Sequence, residues 1–501
     1  MRVRSRYCLL LPLALALSLP AFAEVTAQSD KSPDSRNLKI DSTSSPAKPK
    51  AKPAQKPDAK SASTATHTKP ETPPSPESKP GVKADAKNEP KPDTVGKVDV
   101  EPKGDATTGS AAEVKDDAVK IDLAHAENAF GLAAYKKLGD GGKNLFMSPF
   151  SIHSCLHLVF DGAGGATEEE MAKVLHLSVA GKEVANTEYV RLLEEIEPAT
   201  SDEPFVFSAA NSVWANKDLK LRSGFVDTAK SVFRAEVRSL DFANSESVGT
   251  INSWVSDNTH GKIPKIVDSL TPEQAMVAVN AAYFKAPWKT VFNRELTKEA
   301  DFKTDSGTKK VSMMDVRGAF HYLENDELQA IELTYGGGRE SCIVILPKEK
   351  STLGELRQSL TSTSWDALVD KMGNRSGELF LPKFTLEYQV PLRDYLIQAG
   401  MKQAFEKNAD FSRIAEAEKG SPACAKLSQV LHKTFLKVNE EGTEAAAATA
   451  TTERMLSLDV QKEAEPFKMV VNRPFFFAIV NWKTRAILFL GQVADPGQDV
   501  Q

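Results

Sequence analysis

The chain has 501 residues, of which 41% are hydrophobic, and 63 basic and 68 acidic side chains give it a formal net charge of −5. This near balance excludes a strongly basic nucleic-acid-binding protein, and we expect no nucleic-acid partner. The length allows up to about three domains of ~150 residues each, so the distribution of residue types has to set the boundaries.

Residues 1–23 are typical of a secretory signal peptide. Three arginines precede an apolar run that ends in the small-x-small pattern Ala21-Phe22-Ala23. Pro12 and Pro20 interrupt the run, and no second apolar segment of about 18 residues follows, so we expect no membrane span. We predict cleavage near Ala23 and secretion, either to the extracellular space or to the periplasm.

Residues 24–120 have a different composition. The sequence contains no Phe, Trp or Tyr between Phe22 and Phe130, and stretches such as SSPAKPKAKPAQKPDAK mix Pro, Lys, Asp, Ser and Ala without apolar periodicity. Such a segment cannot bury enough apolar surface to offset its backbone entropy. We predict a disordered linker.

Residues 121–501 carry all five tryptophans and the long apolar segments, which is enough for one large folded domain. Cys8 leaves with the signal peptide, and an odd set remains: Cys155, Cys342 and Cys424. This count does not favour a disulfide framework, and the apolar surroundings of Cys155 and Cys342 predict buried free thiols.

The predicted helices cluster early in this domain and the strands late. DLAHAENAFGLAAYKKLGD has helical spacing and ends at Gly139, SPFSIHSCLHLVFDGAGG begins with Ser148 as a cap and Pro149 in the first turn, and ATEEEMAKVLHL begins at Thr167. Strand patterns follow, from FVFSAANSVWA to the C-terminal PFFFAIVNWKTRAILFLGQV. Helical LGELRQSL and VPLRDYLIQAG interrupt them. The order predicts an α+β fold.

Few residues form a pattern typical of catalysis or metal binding. His153 and His157 have the i, i+4 spacing of metal ligands, but no glutamate motif or third ligand accompanies them, so packing is favoured. The glycines of YGGGRES lie between two predicted strands and indicate a hairpin turn, because no helix follows to form a phosphate site. No nucleophile motif is present. We expect no metal, no cofactor and no enzyme activity.

Residues 440–459, EEGTEAAAATATTERMLSLD, combine conflicting signals. Alanine is the best helix former, whereas the surrounding threonines are β-branched and favour strands. We interpret the segment as one that exists in two states.

Five stretches, in order between Ile121 and Pro496, resemble the serpins, the suicide inhibitors of serine proteases. They are NLFMSPFSIHSCL, VNAAYFKAPWKTVFN, LPKFTLEYQVPLRDYLIQAGMKQAFEKNADFSRI, LSQVLHKTFLKVNEEGTEAAAA and VNRPFFFAIVNWKTRAILFLGQVADP. The resemblance implies a domain over 121–501 with the serpin fold: three β-sheets, about nine helices and an exposed reactive-centre loop.

The resemblance also implies a role for the conflicting segment. In serpins a protease cleaves this loop, an acyl-enzyme forms, and the freed loop enters the central sheet as a new strand. An entering strand must present small or uncharged side chains inward at alternate positions, here Thr443, Ala445, Ala447 and Thr449. The implied hinge comprises Glu440, Gly442, Thr443, Glu444, Ala445, Ala446, Ala447 and Ala448, and it lacks the prolines that non-inhibitory members tend to carry.

The family's loop length places the scissile bond between Leu456 and Ser457. The local sequence resembles antichymotrypsin, and a leucine there suits a chymotrypsin-like or subtilisin-like protease. The segment from Ser457 to Pro474 is longer than in typical members, so Arg454 and Met455 stay open as alternatives. Glu453 would face inward near the end of the new strand, where an unpaired carboxylate costs several kcal/mol.

Further positions match family sites that rearrange when the sheet opens. Ser148, Ser151, Asn280 and His432 match the polar cluster under the sheet, and Trp288 matches the tryptophan where the loop first enters. None of them is implied to be catalytic.

The implied partner is a target serine protease, held as a covalent acyl-enzyme complex, and a cysteine-protease target stays open. We expect a monomer. The alternative function is a non-inhibitory serpin that binds a ligand or a partner.

Overall fold

The computed structural model describes residues 121–140, 142–197, 205–417, 424–443 and 465–497. Within these ranges the chain forms nine α-helices and three β-sheets. The helices are α1 (Leu123–Leu138), α2 (Pro149–Asp161), α3 (Gly165–Val174), α4 (Lys182–Ile196), α5 (Ser223–Ser231), α6 (Glu246–Asn258), α7 (Leu353–Ser359), α8 (Ser362–Asp370) and α9 (Arg393–Ala399). None of these helices has the length and apolarity needed to cross a membrane.

Local side-chain hydrogen bonds explain several helix ends. Ser148 caps α2 by accepting a hydrogen bond from the amide of Ser151, and Pro149 occupies the first turn, as predicted. Gly139 follows the last residue of α1, also as predicted. The helix predicted to begin at Thr167 begins two residues earlier, at Gly165, because the Thr167 hydroxyl is engaged elsewhere and accepts from the amide of Asp410.

The largest sheet has nine strands. In spatial order they are β1 (Leu145–Met147), β17 (Ile487–Val493), β16 (Phe475–Asn481), β9 (Glu340–Pro347), β8 (Leu328–Thr334), β7 (Gly307–Glu324), β10 (Gly373–Pro382) and β15 (Phe467–Val470), with β6 (Lys298–Thr304) paired to β7. The glycines of YGGGRES connect β8 and β9, which pair antiparallel, so the predicted hairpin is confirmed.

The second sheet, here called the central sheet, has six strands. Its order is β11 (Phe384–Pro391), β13 (Leu427–Val438), β14 (Gly442–Thr443), β5 (Met276–Pro287), β2 (Val206–Asn216) and β4 (Glu236–Leu240), and β13 also pairs directly with β5. A two-stranded sheet pairs β12 (Ala415–Ala417) with β3 (Leu219–Leu221). The predicted α+β fold with three sheets and about nine helices is confirmed.

Two hydrophobic clusters cover the two faces of the central sheet. Along β5, Ala278, Ala282 and Phe284 belong to the main core, whereas Val277 and Val279 belong to a smaller cluster that includes α6 side chains. Strand side chains alternate between faces, so a strand buried on both faces contains small or apolar residues throughout. Cys155 and Cys342 are buried free thiols, as predicted, and Cys424 is also free.

Candidate functional site

The central sheet is split at one end. β13 and β5 pair in parallel from Leu427 opposite Met276 to Phe435 opposite Tyr283. Beyond this stretch the two strands separate, and β14 lies between them, antiparallel to both. The gap therefore already holds Gly442 and Thr443, two residues of the hinge predicted from the sequence.

A closed turn connects β13 to β14. The Asn439 amide donates to the Gly442 carbonyl at 3.0 Å. The amides of Glu441 and Gly442 donate to Asn439 Oδ1 at 3.0 and 3.2 Å. The hinge is thus one arm of a short β-hairpin whose other arm is the end of β13.

The two residues of β14 fit closely between their neighbours. A Cβ at Gly442 would lie 2.2 Å from the Ala286 carbonyl oxygen and 2.6 Å from Pro287 Cα, so only glycine fits here. Thr443 is fully buried, and its hydroxyl lies 2.8 Å from the Tyr335 hydroxyl. Thr443 therefore faces the main core, as the predicted inward set requires.

Trp288 holds the turn from the side of β5. Its amide donates to the Glu441 carbonyl at 2.9 Å, and its indole Nε1 donates to the Asn439 carbonyl at 2.9 Å. Its ring stacks on Tyr335 with centroids 4.5 Å apart. The structure thus places Trp288 against the point where the hinge enters the sheet.

The two glutamates of the turn are bound by the segment after Trp288 and by Lys383, which lies between β10 and β11. Glu440 is buried and accepts a hydrogen bond from the Thr297 hydroxyl at 2.8 Å, while Lys383 Nζ lies 3.5 Å from its second oxygen. Glu441 pairs with Arg294. A buried carboxylate needs such partners, because an unpaired one is costly.

The four residues predicted to form a polar cluster are brought together under the parallel part of the sheet. Asn280 on β5 donates to the Ser151 carbonyl at 3.0 Å and to Asn211 Oδ1 on β2 at 2.5 Å. Asn280 Oδ1 lies 2.5 Å from His432 Nδ1 on β13. His432 Nε2 in turn accepts from the Ser148 amide at 3.1 Å. We call these five residues the shutter cluster.

The hydrogen bonds of the shutter cluster select one tautomer of the His432 ring. Because Nε2 accepts from an amide, Nδ1 must carry the proton and donate to Asn280. Burial lowers the pKa of His432 to about 3, which keeps the ring neutral. Ser148 also donates to the Leu488 carbonyl on β17 at 2.6 Å. The start of α2 therefore binds the central sheet and the nine-stranded sheet together.

Some of the site residues predicted from the sequence lie outside the described residues. They are Glu444, Ala445, Ala446, Ala447, Ala448, Thr449, Glu453, Arg454, Met455, Leu456 and Ser457. Conversely, the sequence analysis missed five residues that contact the hinge or the shutter cluster: Asn211, Arg294, Thr297, Tyr335 and Lys383. They are distant in sequence, and no local motif marks them.

A comparison with known protein families matches residues 125–496 to the serpin (serine protease inhibitor) family. The chain belongs to the serpin family. An uncharacterised serpin-like protein of Thermococcus kodakarensis is 37% identical over 376 residues, 75% of this chain and 86% of the relative. The family is named for the inhibition of serine proteases.

Solved serpin structures have the same fold. The native state of the thermophilic serpin tengpin matches with a TM-score of 0.67 and 28% identity, over 76% of this chain and 96% of that one. Human thyroxine-binding globulin, solved in complex with thyroxine, matches with a TM-score of 0.66 and 26% identity, over 75% and 98%. The fold of this serpin is therefore shared by a thermophilic serpin and by a thyroxine-binding globulin.

Proposed function

We propose that this serpin is an exported suicide inhibitor of a chymotrypsin-like or subtilisin-like serine protease. One observation carries the proposal: Gly442 and Thr443 already lie between β13 and β5 in strand geometry. A hinge in this position can extend the new strand without first finding its register. The absence of proline from residues 440–453 supports it further.

The observed pairs set the register of the inserted strand. Thr443 lies opposite Ala286, so each step along the loop moves one residue towards the start of β5. Residue 445 would then lie opposite Phe284, residue 447 opposite Ala282, and residue 449 opposite Asn280. These β5 side chains face the main core or the shutter cluster. Alanine and threonine are small enough to enter there.

The chemistry of inhibition belongs to the target protease. Its serine attacks the carbonyl carbon of Leu456, the bond to Ser457 breaks, and the amine of Ser457 leaves with the proton supplied by the protease. The serpin stays attached through an ester. Insertion of the loop then carries the acyl-enzyme away from the place where cleavage occurred, before water can hydrolyse the ester.

The neighbouring structures support one alternative. Thyroxine-binding globulin was solved with thyroxine, so a serpin fold can bind a small molecule. Under this alternative, proteases would cleave the loop of the present serpin and remain active.

The test uses the protein without residues 1–23, mixed separately with chymotrypsin and trypsin. We expect an SDS-stable band near the summed masses with chymotrypsin. Sequencing the released C-terminal peptide locates the bond: a peptide beginning at Ser457 identifies Leu456, one beginning at Leu456 identifies Met455, and one beginning at Met455 identifies Arg454. Cleavage without a stable band, and without a gain in thermal stability, contradicts the proposal for these proteases.

A matched pair of variants tests the insertion step. Thr443→Arg places a long cation in a fully buried position, so we expect an inhibitor that becomes a substrate. Glu444→Arg introduces the same cation one residue later, on the opposite face of the new strand, and we expect inhibition to persist. Equal loss in both variants would show that alternation along the strand does not govern inhibition.

Export and oligomeric state have separate tests. Mass spectrometry of the protein secreted by its native host should find an N-terminus at Glu24. Light scattering should find a monomer. A retained N-terminus at Met1 would contradict export through the predicted signal peptide.

A further inference from the structure

A group of buried polar atoms without hydrogen-bond partners lies between α1, α2 and α4. Among the described residues, eight buried side-chain nitrogen and oxygen atoms lack a partner, and six of them belong to four neighbouring residues. Both carboxylate oxygens of Glu127, Nδ1 of His153, both ring nitrogens of His157 and Oδ1 of Asn186 make up this set, and Asn186 lies near enough to His157 to act on it as a weak hydrogen-bond partner. Native proteins leave few such atoms, so a concentration of them in one place needs an explanation.

Glu127 and His153 are positioned to share one proton. His153 Nε2 lies 2.9 Å from the Leu175 carbonyl, which can only accept, so Nε2 carries the hydrogen. In the neutral ring Nδ1 is then an acceptor, and it lies 3.6 Å from Glu127 Oε1. A protonated Glu127 can donate to this nitrogen after a small side-chain rotation. Both side chains are completely buried.

His157 is one turn further along α2, in an aromatic environment. Its ring centroid lies 6.1 Å from that of His153, 5.9 Å from Tyr189 and 5.0 Å from Phe233. Phe160 contacts it from the next turn. An imidazolium in this position would be a buried charge without a carboxylate beside it.

The charges around the cluster favour its uncharged form. Those that act on its members are Asp122 before α1, His176 after α3, and Lys182 and Tyr189 on α4, while Arg234 after α5 acts on Tyr189. Tyr395 on α9 reaches the same region through Phe130. Asp122 opposes ionisation of Glu127, while His176 and Lys182 oppose protonation of the histidines.

The pKa values follow from burial. Burial, followed by repulsion from Asp122, raises the pKa of Glu127 well above its ordinary value. Burial lowers the pKa of His153 to about 4 and that of His157 well below its ordinary value. These shifts favour the form in which Glu127 keeps its carboxyl proton and both histidines are neutral.

We propose that Glu127 and His153, which share a proton, form with the neighbouring His157 a buried uncharged cluster that couples the stability of the native fold to acidification. The cluster lies along α2, whose first turn contributes Ser148 and Ser151 to the shutter cluster. Because a charged histidine is not accommodated at this position, acid favours states in which α2 has separated from α1 and α4, and the same separation removes the support under the parallel strands. Acid therefore loosens the central sheet from below, independently of any protease.

The proton balance gives each residue a distinct signature between pH 4.5 and 6.5. Unfolding releases one proton from Glu127, which is protonated when buried and ionised when exposed at these pH values. Unfolding takes up one proton at each of His153 and His157, which are neutral when buried and charged when exposed. Stability therefore falls with acid through the histidines, and it falls with alkali through Glu127.

The experiment measures urea unfolding of the full domain, by tryptophan fluorescence, between pH 4.8 and 6.3. Each proton changes the unfolding constant tenfold per pH unit. Relative to the parent, Glu127→Gln should make the constant rise a further tenfold per pH unit of acidification. His157→Phe, which the aromatic neighbours can accommodate, should make it rise tenfold less. The double variant should return to the slope of the parent.

Two further results keep the test decisive. His153→Gln retains a donor for the Leu175 carbonyl, so it should show the same change in pH dependence as His157→Phe. It can replace His157→Phe if that variant folds poorly. The shutter residue His432 contributes equally in every variant. The histidine ring NMR signals of the parent protein can be assigned by their loss in His153→Gln and His157→Phe. In the parent these signals should not titrate between pH 7 and 5. Parallel pH dependences in all variants, or titration of these signals near pH 6.5, would overturn the proposal.

Discussion

Replacement of Thr443 by valine tests how the hinge is held in the sheet. The change keeps the β-branched shape and removes only the hydroxyl that lies 2.8 Å from Tyr335. A neutral hydrogen bond contributes about 1 kcal/mol. A larger loss is not expected, because the Cys342 thiol also bonds to the Tyr335 hydroxyl and keeps it from losing every partner. About 1 kcal/mol shifts the equilibrium between seated and released hinge roughly fivefold.

Hydrogen exchange at two backbone amides reports the seated state. The amides of Trp288 and Phe292 donate to the carbonyls of Glu441 and Glu440, so they lose these acceptors when the hinge leaves. We expect exchange at both amides to be about fivefold faster in Thr443→Val. Thr434→Val removes an equally buried hydroxyl bond from β13, to the Phe146 carbonyl, and serves as the matched control.

A double-mutant cycle shows whether the two hydroxyls act on each other. Tyr335→Phe keeps the ring that stacks on Trp288 and removes the same hydrogen bond from the other side. The coupling between the two substitutions should be about 1 kcal/mol. Additive effects, or unchanged exchange at Trp288 in Thr443→Val, would refute the view that this bond seats the hinge.

Three other substitutions or conditions have expected outcomes. Gly442→Ala should release the hinge, because its Cβ would collide with the Ala286 carbonyl, and exchange at the Trp288 amide reports this. Glu440→Gln should lower the thermal unfolding temperature by a few degrees, because it weakens a charged hydrogen bond from Thr297 worth about 2 kcal/mol. The pKa of His432 is about 3 in the fold and near 6.5 when exposed, so His432 should contribute a fall in stability of up to about 1.4 kcal/mol per pH unit below pH 6.5, and His432→Gln should remove that contribution.

The sequence was sufficient where a local signal marks the structure. Ser148 and Pro149 define the start of α2, and alternating small residues define β5 as a strand with two buried faces. Helices α4, α5, α6 and α8 were not predicted individually. α6 contains Gly249 and β-branched residues, and the packing of Ile251 and Val255 in the smaller core cluster stabilises it. Tertiary contacts of this kind leave little trace in local propensity.

The candidate site shows the same division. Gly442, Thr443, Trp288 and four of the five shutter residues were found through stretches that resemble the serpins. Their partners were not. Tyr335 follows β8 at the edge of a glycine-rich turn and meets Thr443 only through the fold, from a position 108 residues away. Thr297 likewise reaches Glu440 across 143 residues. Neither position has a local pattern that would have indicated a contact.

Under the proposed mechanism, the hairpin formed by the end of β13, the turn at Asn439 and β14 would change the kinetics of strand addition. A growing strand normally faces its slowest step at the start, when loop closure must be achieved before any pairing compensates for the lost entropy. Here closure is complete before the loop is cut, because Thr443 is already paired on both sides. Each later pair then only extends an existing ladder. The rate of insertion should accordingly follow the rate at which the parallel contact between β13 and β5 separates, and substitutions in that contact should change it more than substitutions in the turn.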